Sequence, residues 1–154
     1  MNEQNGYDIE DLQLGMTANF AKTITEADIL MFCGVSGDTN AVHVNEEYAL
    51  TTPFKGRIAH GMLSASLISA VLANRLPGPG TIYLGQTLKF LAPVRPGDTV
   101  HATVTLRELD VPRGRAVLST TCSVKGAAVI EGEAEVKVGS SAKRAARAAV
   151  KAGV

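Results

Sequence analysis

Residues 60–76 read HGMLSASLISAVLANRL, and the fold turns on how this stretch is read. Apolar or small side chains cover nearly every side of it at helical spacing, so the pattern predicts a helix buried all round rather than one lying on a surface. Pro77-Gly78-Pro79-Gly80 ends it, because proline lacks the N–H that a helix interior needs and its ring clashes with the preceding turn. Downstream the apolar period changes to two. Val100, Ala102, Val104 and Leu106 share one strand face; Ala116, Leu118, Thr120, Cys122 and Val124 share another; Ala128, Ile130, Gly132, Ala134 and Val136 share a third. Thr81 to Leu91 reads as a fourth long strand.

A buried helix followed by four long strands predicts an α+β fold in which an antiparallel sheet wraps around a long central helix, the shape called a hotdog. Upstream, a strand is expected around Gly15 to Lys22. Thr25 can then cap a helix, with Asp28 three residues on completing a capping box. That helix is expected to stop at Gly34, and Val35 to His43 reads as loop. Asn45 with Glu46 and Glu47 marks a second helix start, where acids suit the helix dipole, and Pro53 ends it. No repeat or linker interrupts residues 8 to 138. One domain is therefore expected over residues 1–138, followed by a basic, Ala-rich tail over 139–154 whose composition is compatible with disorder.

A chain of 154 residues suits one domain with a sizeable core. With 45% hydrophobic and 19% charged residues it is neither a disordered chain nor a membrane protein. No apolar run approaches the roughly 20 residues of a spanning helix. Met1 to Asp11 carries four acids and no base, unlike a targeting segment. A soluble, cytoplasmic protein is expected. Cys33 and Cys122 lack the paired spacing of a metal or redox site, which fits a reducing compartment. The net charge of zero conceals an uneven distribution: residues 1–50 carry minus 8, residues 51–136 plus 3, and residues 137–154 plus 5. The middle has the sign to favour an anionic ligand.

Two regions could carry chemistry. In GVSGDTNAVHVN at 34–45, Asp38 and His43 lie on an irregular segment that can bring a carboxylate and an imidazole to one water molecule, the requirement for general acid-base catalysis. The plainer reading is an Asx-turn at Asp38 and a satisfied, half-buried His43. In RIAHGMLSAS at 57–66, Gly61 opens the buried helix, so its amide is one of the donors the first turn leaves unpaired. That amide and the helix dipole could stabilise a carbonyl oxygen gaining negative charge. Gly61 could equally serve a tight turn or a close packing contact. Ser64, Ser66 and Ser69 could each return a hydroxyl bond to the preceding turn. Ser69 lies about 12 Å along the axis from Gly61 and could border a long pocket. His101 should face solvent, and His43, His60 and His101 have no metal-site spacing. No GxSxG, GxxxxGK[ST] or GxGxxG motif is present.

The segments GDTNAVHVN (37–45), TTPFKGRIAHGMLSASLIS (51–69) and LPGPGTIYLGQTLKFLAPVRPGD (76–98) together resemble the R-specific enoyl-CoA hydratases of the MaoC-like dehydratase family, over roughly residues 10 to 138. The resemblance implies a hotdog fold, a homodimer with active sites near the subunit interface, and reversible hydration of trans-2-enoyl-CoA to (R)-3-hydroxyacyl-CoA without metal or cofactor. It places Asp38 and His43 on the acid-base pair and Gly61 on the glycine whose amide bonds the thioester carbonyl. It places Ser69 on the serine that orients the Asp and the water. Lys55, Arg57, Lys89 and Arg95 are candidates to meet the phosphates of CoA. One departure is visible: the family's loop has Pro after Asn, whereas Ala41 follows Asn40 here, which allows a looser loop. A dehydratase acting on acyl-carrier-protein thioesters and a non-catalytic acyl-CoA-binding module are the alternatives. An acyl-CoA substrate and a homodimeric partner are expected; a membrane or nucleic-acid partner is not.

Overall fold

The computed structural model describes residues 6–152, so the first five residues of the expected 1–138 domain and the last two of the tail lie outside the described residues. Strand β1 (Thr17–Thr23) leads into helix α1 (Glu26–Ser36), the one-turn helix α2 (Ala41–Val44), α3 (Glu46–Thr51) and the long helix α4 (Gly61–Asn74). Strands β2 (Ile82–Phe90), β3 (Thr99–Asp110), β4 (Arg115–Val124) and β5 (Ala127–Lys137) follow, and then helix α5 (Ser141–Ala152). The five strands form one antiparallel sheet in the order β1-β3-β4-β5-β2. Helix α4 packs against β1, β3 and β4, giving the expected hotdog arrangement.

The period-two faces read from the sequence form the core wall. Val100, Ala102, Val104, Leu106, Ala116, Leu118, Cys122, Ile130, Ala134 and Val136 are all buried there. Against them α4 packs Leu63, Leu67, Ile68, Val71 and Leu72. Full burial of each such side chain contributes about 1.5–3 kcal/mol.

The expectation that α4 is buried all round needs correcting. Met62, Ser66, Ser69 and Ala73, spaced at one face, are exposed in the single chain, because the sheet covers only the opposite side. Two further boundaries differ. Helix α1 does not stop at Gly34 but continues to Ser36 and ends at Gly37, whose φ of 77° is the left-handed conformation that glycine adopts without penalty. Within the segment expected to be loop, residues 41–44 form α2, capped by Asn40, whose side chain accepts the Val42 N–H at 3.3 Å. The capping box at α1 is present as read: Thr25 Oγ1 accepts the Asp28 N–H at 3.2 Å, and Asp28 Oδ2 accepts the Thr25 N–H at 2.8 Å.

The tail is helical over Ser141–Ala152, where its composition was also compatible with disorder. Ser140 caps it by accepting the Lys143 N–H at 3.1 Å, and Arg144 pairs with Asp8 at 2.7 Å. No helix among the described residues is long and apolar enough to cross a membrane.

Candidate active site

The site is built where the α1–α2 connection meets the N-terminus of α4. Asp38 lies just beyond the Gly37 turn. Its Oδ1 accepts the Asn40 N–H at 3.2 Å, and its own N–H donates to Ser36 Oγ at 3.1 Å. The Asx-turn of the plainer reading is thus real, and it orients the carboxylate instead of competing with a chemical role, since one oxygen is held while the exposed side chain keeps the other available. His43, on α2, is buried. Its Nδ1 lies 2.8 Å from the Ile58 carbonyl, an acceptor only, so Nδ1 carries the proton and Nε2 presents a lone pair.

His60, the residue before α4, was passed over by sequence reasoning except as a metal candidate. It is 2% exposed, and its ring stacks on His43 with centroids 3.8 Å apart and planes at 28°. Its Nε2 donates to the Asp38 backbone carbonyl at 2.9 Å. Ligating atoms of Asp38, His43 and His60 lie within 4.8 Å of one another. That span suits one water bridging Asp38 and His43, since two hydrogen bonds meeting at a tetrahedral oxygen reach about 4.6 Å. A metal fits the same atoms poorly, because stacked rings send their in-plane lone pairs side by side rather than to a common point.

Gly61 is the first residue of α4, so its amide has no partner within the helix, and His60 makes no side-chain cap that would occupy the first turn. Both the glycine and Asp38 line a cavity of about 440 Å³. Its walls are mainly apolar, with Phe54, Ile58, Phe90, Leu91, Val94 and Ile130 prominent. A Cβ at Gly61 would stand 2.6 Å from Cε1 of Phe90, so the close-packing reason for this glycine holds alongside the electrostatic one. Ser64 also lines the cavity. Its Oγ, like His60 Nδ1, is buried with no partner among the described residues, leaving two polar atoms available to a ligand. Of the three serines on α4, Ser66 returns its hydroxyl to the preceding turn, at 2.6 Å from the Leu63 carbonyl.

Ser69 is not brought to this site in the single chain: it is exposed, on the outward stripe of α4, and does not line the cavity. The basic candidates also separate. Arg57 is taken up by Glu26 at 2.7 Å and Glu46 at 3.3 Å, and the Glu26 hydrogen bonds foremost raise its pKa further. Arg95 donates to the carbonyls of Phe54 and Arg57, which sets it beside Lys55 on the segment that enters the cavity wall. Lys55 and Lys89 are exposed, Lys89 on β2 opposite Glu131. His101 is exposed on β3, as read from its register. The cysteines are both free and buried. Nothing in the sequence pattern marked Ser64 apart from its neighbours. For His60 there was a signal, a histidine directly before Gly61 in an apolar run, but only the fold shows what the ring touches.

Residues 11–129 match the MaoC like domain family. The (R)-specific enoyl-CoA hydratase of Rhodospirillum rubrum is 61% identical over 129 residues, covering 84% of this chain and 90% of the relative. The 3-hydroxybutyryl-CoA dehydratase of Methylorubrum extorquens is 51% identical over 129 residues, covering 84% of this chain and 82% of the relative. Among solved structures, the (R)-hydratase from Aeromonas caviae involved in PHA biosynthesis superposes with a TM-score of 0.81 at 41% identity, over 84% of this chain and 98% of the other. With a family match across most of its length and relatives this similar, the chain belongs to the MaoC-like domain family.

Proposed function

We propose that this chain is an (R)-specific enoyl-CoA hydratase that adds water reversibly to trans-2-enoyl-CoA. The observation that carries the reading is that Asp38 and the unpaired Gly61 amide line one mainly apolar cavity, with ligating atoms of His43 within 4.8 Å of those of Asp38. The water oxygen attacks C3 of the enoyl thioester while Asp38 and His43 Nε2 take up its proton. Charge passes to the thioester oxygen, where the Gly61 N–H and the α4 dipole stabilise it. A proton returned to C2 from the same side gives the 3-hydroxyacyl thioester and restores the site. No metal or cofactor is needed. In this reading the acyl chain occupies the apolar part of the cavity and Lys55 and Arg95 meet the CoA phosphates, with Arg57 bracing the segment between Glu26 and Glu46.

The names of the relatives support the CoA thioester and the R configuration, and one of them supports supply of precursors for PHA biosynthesis, with fatty-acid oxidation the other route. A cytoplasmic setting fits the two free cysteines. We further propose a homodimer. The edge strand β2 exposes Ile82, Tyr83, Leu84 and Phe90, an apolar edge that a second copy would cover. The role that the resemblance gives Ser69 would have to be met on the outward stripe of α4.

The test is hydration of crotonyl-CoA, followed as loss of the conjugated-thioester absorbance. Absence of turnover with this and longer enoyl-CoA substrates would remove the reading. Preference for the carrier-protein form of the same substrate would move it to the dehydratases of fatty-acid elongation.

A further inference from the structure

Every hydrogen bond that holds Asp38 on its own segment is local: Ser36 Oγ to its N–H, and its Oδ1 to the Asn40 N–H. Residues 37–40 have no regular secondary structure of their own, so these bonds move with the segment. The bond that ties Asp38 to another element is the one from His60 Nε2 to the Asp38 carbonyl, at 2.9 Å. His60 immediately precedes Gly61, so this bond sets the separation between the carboxylate and the amide that would bind the thioester oxygen. The same ring stacks on His43 and contacts the tilted ring of Phe32, with centroid distances of 3.8 and 4.8 Å. It therefore also limits the tilt of the His43 ring, whose Nδ1 is already fixed by the Ile58 carbonyl.

We propose that His60 is a positioning residue for the hydration reaction, locking the Asp38 segment and the His43 ring to the start of α4. This rests on the hydratase reading above. Donation from Nε2 fixes the tautomer and leaves Nδ1 a bare acceptor, buried and without a partner among the described residues. The ring thus carries a polar atom that folding does not use, and a phenylalanine of similar shape gives up the contacts of Nε2 with the Asp38 carbonyl and with Cys33 Sγ at 3.6 Å while sparing one unpaired buried atom. His60→Phe is accordingly expected to fold.

The test compares His60→Phe and His60→Gln in the wild-type and Asp38→Asn backgrounds, with hydrogen exchange across residues 37–43 measured alongside kinetics. In the wild-type background His60→Phe should lower kcat about 10- to 100-fold with KM within about threefold, since a shift of about 1 Å in a reacting group costs that much. His60→Gln, which can still donate to the Asp38 carbonyl, should recover a large part of the loss. In the Asp38→Asn background His60→Phe should cost clearly less than in the wild type, because part of its effect runs through Asp38 and only the part through His43 remains. Amides of residues 37–43 should exchange faster in His60→Phe and recover in His60→Gln. Unchanged kcat, full additivity with Asp38→Asn, or unchanged exchange would each overturn the proposal. The exchange result stands whether or not the wild-type protein hydrates enoyl-CoA, so failure of the positioning role is distinguishable from failure of the hydratase reading.

Discussion

At the residue scale, the plainer readings of Asp38 and His43 hold, and the geometry they create is compatible with the proposed chemistry. The Asx-turn at Asp38 and the bond from His43 Nδ1 to Ile58 each satisfy one polar atom and thereby aim the other. Asp38→Asn keeps an oxygen for the Asn40 N–H but loses the negative charge, and His43→Gln loses the imidazole base. Each should lower kcat by about 10² to 10⁴ with an unchanged melting temperature, the usual share of one acid-base group. Near-normal rates in either variant, with circular dichroism confirming the fold, would mean the roles are misassigned. The residues themselves were legible, because a carboxylate, an imidazole and a helix-opening glycine are recognisable types. The place of His60 was not, since a stacking partner 17 positions after His43 leaves no periodic trace.

At the scale of elements, α2 is the informative one. It is a single turn, too short to hold itself, and it carries His43 between the Asn40 cap and the Ile58 carbonyl. Ala41 is its first residue, a position where proline's missing N–H costs no helical bond and its fixed φ fits. Asn40, with φ −52° and ψ 129°, already has the extended backbone that a following proline requires. Ala41→Pro should therefore raise unfolding free energy by about 0.4–1 kcal/mol by restricting the unfolded chain, with kcat preserved. Denaturant midpoints read the first effect, and a drop in stability would show that the turn needs alanine's freedom. The sequence placed α1, α3 and α4 from caps and periodicity, whereas a four-residue helix has too few positions to show a period.

At the scale of the whole molecule, the core sets a pH limit. Burial pushes the Cys122 thiol from 9.0 up to about 11, and burial likewise raises the Tyr83 phenol. Between those two thiol values the unfolded chain has released a proton that the folded chain retains, so stability falls as pH rises through that range. Unfolding free energy should decline between about pH 9 and 11, and less steeply in Cys122→Ala; equal slopes would assign the decline elsewhere. The open side of the sheet makes the other prediction. Sedimentation should give twice the chain mass, and charged substitutions at Ile82 and Leu84 on the β2 edge should shift it toward a monomer. A wild-type monomer at micromolar concentration would leave the exposed α4 stripe unexplained.

The sequence alone determined the order of α1, α3, α4 and the five strands, the faces that form the core, and the types of residue proposed for the site. Each of these depends on neighbours within a turn or a pleat, where spacing along the chain and distance in space agree. Only the tertiary structure decided that α4 keeps one face open, that Ser69 lies on that face while Ser64 lines the cavity, and that His60 joins Asp38 to the helix. These depend on which side the sheet covers and on contacts between segments 17 to 22 residues apart, which no local pattern records.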